Sequence, residues 1–158
     1  MPSHIFNRTE RKKSIMTEEQ KTKVSLASLM TPSKTVSIDY PEFSGMTIDL
    51  CFLAREELIK LRSRCLSNKF NRKTRGFEEE LDDDKFLVEY CKSVIKGWKG
   101  LKYKYLERML LVNLEGVDPE DELVYSQEDA EILMKNAGDF DTWVTETVGD
   151  LENFTKTK

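Results

Sequence analysis

The feature that most constrains the fold is a change in the spacing of apolar residues near Arg55. Before it, apolar and polar residues alternate in TVSIDY and again in MTIDLCFLA, and the intervening residues include Pro41 and Gly45. Alternation with a period of two is typical of half-buried strands, and proline and glycine favour a turn. After Arg55 the apolar residues recur every three or four positions, which is the helical period. The pattern predicts a β-hairpin followed by helices.

Five segments after the hairpin carry the helical pattern. They are residues 55–67, 82–97, 100–111, 126–136 and 139–154. The clearest is residues 82–97, because three aspartates begin it, where the helix dipole favours negative charge, and Gly97 ends it. Trp98 continues the apolar phase of this helix, so its ring is predicted to close the core at the helix end. The fourth segment begins with Ser126 and Asp129 at the spacing of a capping box.

The predicted fold is therefore α+β and mainly α, with a short N-terminal β-hairpin followed by four to five packed helices. Residues 1–34 are rich in Lys, Arg, Ser, Thr and Glu, and they contain too few large apolar groups to offset the entropy of ordering them. They are predicted to form a flexible arm. A single domain is expected over residues 35–154, and residues 155–158 are expected to be frayed.

Several functional classes are disfavoured by composition. The net charge is −4, so nucleic acid is not the expected partner of the whole chain. The longest apolar runs are too short to cross a bilayer, so no membrane partner is expected. Three cysteines and the lone His4 supply neither a usual zinc ligand set nor a nucleophile with a base, and no glycine-rich phosphate loop is present. The sequence predicts no enzyme, no metal site and no cofactor.

A basic segment spans residues 55–76, where eight cations stand against two glutamates and Phe70 lies among them; Phe77 follows directly. Three interpretations are open. The charge is balanced by the following EEELDDD on a solvated surface, or it docks an acidic protein, or it binds phosphates while the aromatic rings stack on bases. The candidate partner-binding residues of this segment are Arg62, Arg64, Lys69, Arg72 and Arg75.

A second candidate is the stretch GWKGLKYKYL, residues 97–106, in which aromatic residues lie among three lysines. It is either a structural elbow or a stacking platform for a polynucleotide. The helical phase of Trp98 favours the elbow. The candidate aromatic contacts, which include one from the last predicted helix, are Trp98, Tyr103, Tyr105 and Trp143.

The order and spacing of four segments carry a resemblance to a known family. REELIKLR follows the hairpin, and a helix is predicted to end in VIKGWKGL. The segment GVDPEDELVYSQEDAEILM, which begins in an acidic loop, comes next, and FDTWVTETVGDLENF is the last of the four. Over residues 34–154 the sequence resembles the tail assembly chaperones of long-tailed bacteriophages and prophages. In that family, a tryptophan-glycine turn and an acidic loop precede a helix that begins Tyr/Phe-Ser-x-Glu.

The resemblance implies a non-catalytic helper in the cytoplasm of the infected bacterial host, one that is absent from the mature virion. Such chaperones coat the long tape-measure protein, keep it soluble and help tail-tube subunits to polymerise around it. Many are also made in a longer form by ribosomal frameshifting. The expected partners are the tape-measure and tail-tube proteins, with self-association left open. Client contacts are expected on the exposed flanks of the helices at residues 82–97 and 140–154. The alternative is a small phage nucleic-acid-binding or regulatory protein that uses residues 55–76.

Overall fold

The computed structural model describes residues 23–31 and 33–155, and the chain divides into two compact units, Met1–Pro32 and Ser33–Lys158. In the first unit, the described element is the short helix α1, Leu26–Leu29. The Ser25 hydroxyl caps it by accepting a hydrogen bond from the backbone N–H of Ser28. Most of the predicted flexible arm and of the predicted frayed C-terminus lies outside the described residues.

The described residues of the second unit form five strands and six helices. The strands are β1 Thr35–Asp39, β2 Thr47–Cys51, β3 Leu66–Asn71, β4 Gly76–Leu81 and β5 Ile95–Lys99. The helices are α2 Arg55–Arg64, α3 Asp83–Val94, α4 Tyr103–Leu106, α5 Gln127–Asn136, α6 Gly138–Gly149 and α7 Glu152–Thr155. One antiparallel sheet has the order β1-β2-β5, and β3 and β4 form a separate two-stranded sheet. No helix in the described residues is long and apolar enough to cross a membrane.

The predicted architecture is wrong, because the fold is α+β with two antiparallel sheets rather than a mainly α fold with one hairpin. The first error concerns residues 95–97, which were expected to end a helix. The helix ends at Val94, and Ile95–Lys99 pairs with β2, where Trp98 lies opposite Ile48. Gly97 suits this strand, since a Cβ there would lie 3.0 Å from the Asp49 carboxylate. Trp98 is buried as predicted, but a strand buries it and not a helix.

The second error concerns residues 66–81, of which most were expected to form a loop. They form the β3–β4 hairpin, with six cross-strand pairs from Leu66↔Leu81 to Asn71↔Gly76. None of these residues is buried, so they lack the alternation of buried and exposed residues that usually reveals a strand. The hairpin is held by its backbone ladder and by cross-strand side-chain pairs.

Three further predicted helices are shorter than expected. Helix α2 ends at Arg64 and not near residue 67. The segment at residues 100–111 contains only α4, which ends at Leu106. The last predicted helix is broken after Gly149 into α6 and α7, and the N-cap residue of α6 is Ala137. The capping prediction for α5 is confirmed: the Ser126 hydroxyl accepts a hydrogen bond from the backbone N–H of Asp129 at 3.1 Å.

The core lies between the three-stranded sheet and helices α3, α5 and α6. The predicted hairpin of β1 and β2 is confirmed, and β2 supplies two completely buried residues to the core. Because residues two apart on a strand share a face, both point to the same side of the sheet. The central buried side chains are Ile48, Leu50, Val94, Leu133, Phe140 and Val144. Helix α5 packs against both α3 and α6, and part of the apolar surface of α3 and α6 stays uncovered.

Candidate functional site

An open apolar groove of about 530 Å³ lies where α2, α3 and α6 meet. Leucine and aromatic side chains form a large part of its wall, and several of them are only half-buried. Its principal apolar residues are Leu53, Leu58, Phe86, Leu87, Tyr90 and Val148. Uncovered apolar surface of this kind marks binding sites in soluble proteins. The groove is therefore the leading candidate for a functional site.

The groove exists because the apolar stripe of α3 is wider than the core requires. Cys91 and Val94 are fully buried against the sheet and the neighbouring helices. Phe86, Leu87 and Tyr90 lie a turn earlier and remain half-exposed. Residues four apart stand on the same helix face, and the rings of Phe86 and Tyr90 stack with centroids 5.7 Å apart. The stacked pair gives the groove an aromatic wall.

Charged groups stand at the rim of the groove. Two carboxylates, Asp83 and Asp141, line it together with the guanidinium of Arg62. The Arg62 guanidinium carbon lies 5.9 Å from the centroid of the Phe86 ring, within the range of a cation–π contact. Burial raises the pKa of Tyr90, so its hydroxyl stays protonated. An apolar wall with a mainly acidic rim suits an amphipathic helix that carries a cation beside its apolar stripe.

The basic residues singled out in the sequence lie on two different features. Arg62 lines the groove, and Arg64 is the last residue of α2. Lys69, Arg72 and Arg75 belong to the β3–β4 hairpin. The Lys69 ammonium lies 3.2 Å from the Glu80 carboxylate, whereas Arg72 and Arg75 form no ion pair with any other described residue. The structure thus collects cations at the hairpin turn and separates them from the groove.

The aromatic residues singled out in the sequence pack within the domain. The Trp98 indole is buried and donates a hydrogen bond to the carbonyl of Leu123 at 2.9 Å. The Tyr105 ring stacks on Phe43 with centroids 4.4 Å apart. Further contacts hold the remaining two: the Tyr103 backbone N–H donates to Asp121, and Trp143 packs edge-on against Tyr40. These aromatic residues lie around the three-stranded sheet, not on the hairpin with the cations.

The stretch at residues 97–106 is a structural elbow. Gly100 has φ +77°, and a Cβ there would lie 2.1 Å from the carbonyl oxygen of Gly45. Two of the three lysines of the stretch are also engaged, because Lys102 and Lys104 hold the Glu120 carboxylate at 3.0 and 2.8 Å. These contacts, with Lys104 the larger cause, hold the pKa of Glu120 below its usual value. The two lysines thus bind a carboxylate of their own domain.

A second exposed apolar surface follows α4. The chain turns after Leu106, and Leu111 is completely exposed. Leu110, Val112 and Ile132 line a shallow depression beside it. The sequence prediction placed residues 100–111 in a helix, so this surface was missed. The run MLLV is the signal that could have indicated it.

The groove was also missed as a set, although its α3 residues were predicted to face the core. The unusually broad apolar stripe of α3 is the signal that could have found it.

Within the described residues, no group of three or more histidine, cysteine or carboxylate side chains is placed to hold a metal ion. Comparisons with protein-family models, with curated proteins and with solved structures found no significant match to this chain.

Proposed function

We propose that this protein is a non-catalytic tail assembly chaperone of a long-tailed bacteriophage or prophage. Its client is the tape-measure protein, which it keeps soluble while tail-tube subunits polymerise around that client. The observation that carries the proposal is the apolar groove between α2, α3 and α6. The resemblance over residues 34–154 supplies the identity of the client. The proposed place of action is the cytoplasm of the infected host, and the mature virion does not retain the protein.

The groove suits the chemistry of such a client. A long helical protein presents apolar side chains at positions i, i+3, i+4 and i+7, and these aggregate in water unless they are covered. Each Leu or Phe side chain that moves from water into the groove contributes about 1.5–3 kcal/mol. The acidic rim, with Asp83 and Asp141, favours client segments that carry Lys or Arg beside the apolar stripe. Many weak sites along one client then give stable coating through avidity.

Co-expression with the tape-measure protein tests the proposal, with soluble yield of the client as the measurement. The wild-type chain is expected to raise the yield. The groove variant Leu58→Glu/Leu87→Glu places two carboxylates in the groove and is expected to abolish the gain. The control Ile59→Glu/Val88→Glu changes neighbouring residues of α2 and α3, which are exposed and do not line the groove.

The control is expected to behave as the wild type does. Equal loss of client solubility in both variants would mean that the added charge, not the groove, matters. No gain with the wild-type chain would refute the chaperone function itself.

A second candidate function is binding of nucleic acid through the basic hairpin. The observation that favours it is the turn at residues 72–75, where Arg72, Lys73 and Arg75 form no ion pair with other described residues. This function predicts retention on a DNA column with an affinity that falls steeply as salt rises. Elution at low salt, with no change for Arg72→Glu, would exclude it.

A further inference from the structure

The β3–β4 hairpin stands apart from the core as an exposed ribbon. None of residues 66–81 is buried, and the hairpin forms its own two-stranded sheet. An isolated two-stranded ribbon is only marginally stable in water, because it lacks a second layer to cover its apolar face. The hairpin therefore offers a surface that gains stability when another surface covers it.

The two faces of the hairpin differ in chemistry. Side chains directly opposite each other on paired strands share a face. One face is polar and internally satisfied, since Lys69 pairs with Glu80 at 3.2 Å and the Asn71 amide donates to Glu78 at 2.9 Å. The other face carries Phe70 opposite Phe77, with ring centroids 5.5 Å apart. Two large aromatic rings thus stand in water on one face.

Phe70 is 54% exposed and Phe77 is 76% exposed. They are the most water-accessible aromatic residues among those described. Charges flank the pair on both sides along the ribbon. Toward the base of the hairpin, Glu79 stands on the same face two residues from Phe77, and it makes no side-chain hydrogen bond or ion pair with other described residues. On the opposite side lies the turn with its three cations, Arg72, Lys73 and Arg75.

We propose that this face binds the same face of a second copy of the chain. The two hairpins run in opposite directions, and the Phe70–Phe77 pair of one packs on the pair of the other. Each basic turn then lies over the Glu79 of the second copy, because both stand about two residues from the aromatic pair. The arrangement has two-fold symmetry, so it closes at a dimer. The Glu79 carboxylate on the same face repels a phosphate backbone, which favours a second copy over nucleic acid.

The interface between the two hairpins is small, and its area limits the affinity of the dimer. A stable interface buries about 800 Å² per partner, and one face of a short ribbon offers less than that. The dimer is therefore weak and concentration-dependent, and rising salt weakens it further, because its charge pairs are exposed. This inference goes beyond the proposed function and does not rest on it.

Analytical ultracentrifugation of the full chain tests the proposal over roughly 10 to 500 µM, a range suited to an interface below ~800 Å² per partner. The mass of the wild-type protein is expected to rise toward that of a dimer. Phe77→Ser, the turn variant Arg72→Glu/Lys73→Glu and the strand variant Glu79→Lys are each expected to weaken dimerisation about tenfold or more. All of these positions are exposed, so the fold is retained.

A mixture of two variants gives the decisive result. The turn variant has two acidic regions and the strand variant has two basic regions, so each repels its own copy. In the mixed dimer every acidic region faces a basic one, and dimerisation is expected to return to the wild-type level. The control Lys99→Glu/Lys135→Glu alters two exposed lysines outside the hairpin and is expected to dimerise normally.

Three results would overturn the proposal: a wild-type mass that does not change with concentration, a variant mixture that stays monomeric, and a mass increase that occurs only when a DNA duplex is added. The groove variant Leu58→Glu/Leu87→Glu is expected to keep the dimer. Failure of the dimer is therefore distinguishable from failure of the chaperone function.

Discussion

Replacing Gly100 with alanine is expected to destabilise the domain severely, because two independent costs coincide at this position. The first is conformational: φ is +77°, and placing a residue with a Cβ in this left-handed region costs about 1–2 kcal/mol of folding free energy. The second is steric. The added Cβ would lie 2.1 Å from the carbonyl oxygen of Gly45 and 3.2 Å from the Cα of Met46, and both are backbone atoms.

The steric cost follows from how far the backbone must move. A Cβ needs more than 3 Å from such an oxygen, so the elbow must shift by about 1 Å relative to the turn before β2, and overpacking of this size costs about 1–3 kcal/mol. Leu101 is completely buried next to the glycine, so the shift disturbs the core. Together the two effects cost about 2–5 kcal/mol, out of a total stability of about 5–15 kcal/mol for a domain.

Gly116→Ala is the matched control. Gly116 has φ +79°, but no atom lies within 4 Å of the position of its Cβ. This variant bears only the conformational cost, about 1 kcal/mol, partly offset because alanine restricts the unfolded chain. The difference between the two variants therefore isolates the close approach of the elbow to Gly45.

Urea unfolding followed by tryptophan fluorescence measures the difference, because Trp98 is buried in the folded state and becomes exposed on unfolding. In thermal unfolding followed by the same fluorescence, Gly100→Ala is expected to lower the melting temperature by about 5–15 °C, and Gly116→Ala by about 2–4 °C, for a domain of this size. Equal destabilisation by the two variants would refute the steric argument and leave only the backbone conformation.

Two further predictions concern the buried thiol of α3 and the start of α5. Burial raises the pKa of Cys91 to about 12. At a pH above 9.0, the ordinary pKa of a thiol, unfolding therefore releases the proton of this group. Stability is therefore expected to fall as pH rises above about 9, by up to about 1.4 kcal/mol per pH unit from this group, and Cys91→Ala is expected to flatten the decline in urea titrations. A slope unchanged by the substitution would assign the decline to other groups. Ser126→Ala removes the cap of α5 and is expected to cost about 1 kcal/mol in the same assay, whereas Ser126→Asp is expected to retain most of the stability; an equal loss in both would contradict the capping role.

The parts of the fold that the sequence predicted are those with a local cause. The hairpin of β1 and β2 follows from alternation around a turn with proline and glycine, and the start of α5 follows from the Ser126 cap. Strand β5 was mistaken for a helix end because Ile95 and Trp98 fit the helical phase of α3 as well as the strand. Pairing with β2, a contact distant in sequence, decides between the two.

The hairpin structure of residues 66–81 and the groove escaped prediction for different reasons. The hairpin of β3 and β4 has no buried residue, so hydrophobic periodicity carries no information about it. The groove depends on where α2 and α6 stop covering α3, and a sequence shows which residues are apolar but not which of them stay uncovered. Phe86 illustrates this, because its helical position is equally consistent with the core and with the half-exposed wall it forms.

At the base of the hairpin, next to the pair of Leu66 and Leu81, the backbone N–H of Asp82 donates a hydrogen bond to the carbonyl of Cys65 at 2.8 Å. The chain therefore leaves the domain after Cys65 and returns to nearly the same point, so residues 66–81 form a modular excursion between α2 and α3. Their length and charge can change without moving the helices on either side. The hairpin is thus a natural site for exchange or insertion, and a short turn in its place would leave the groove intact.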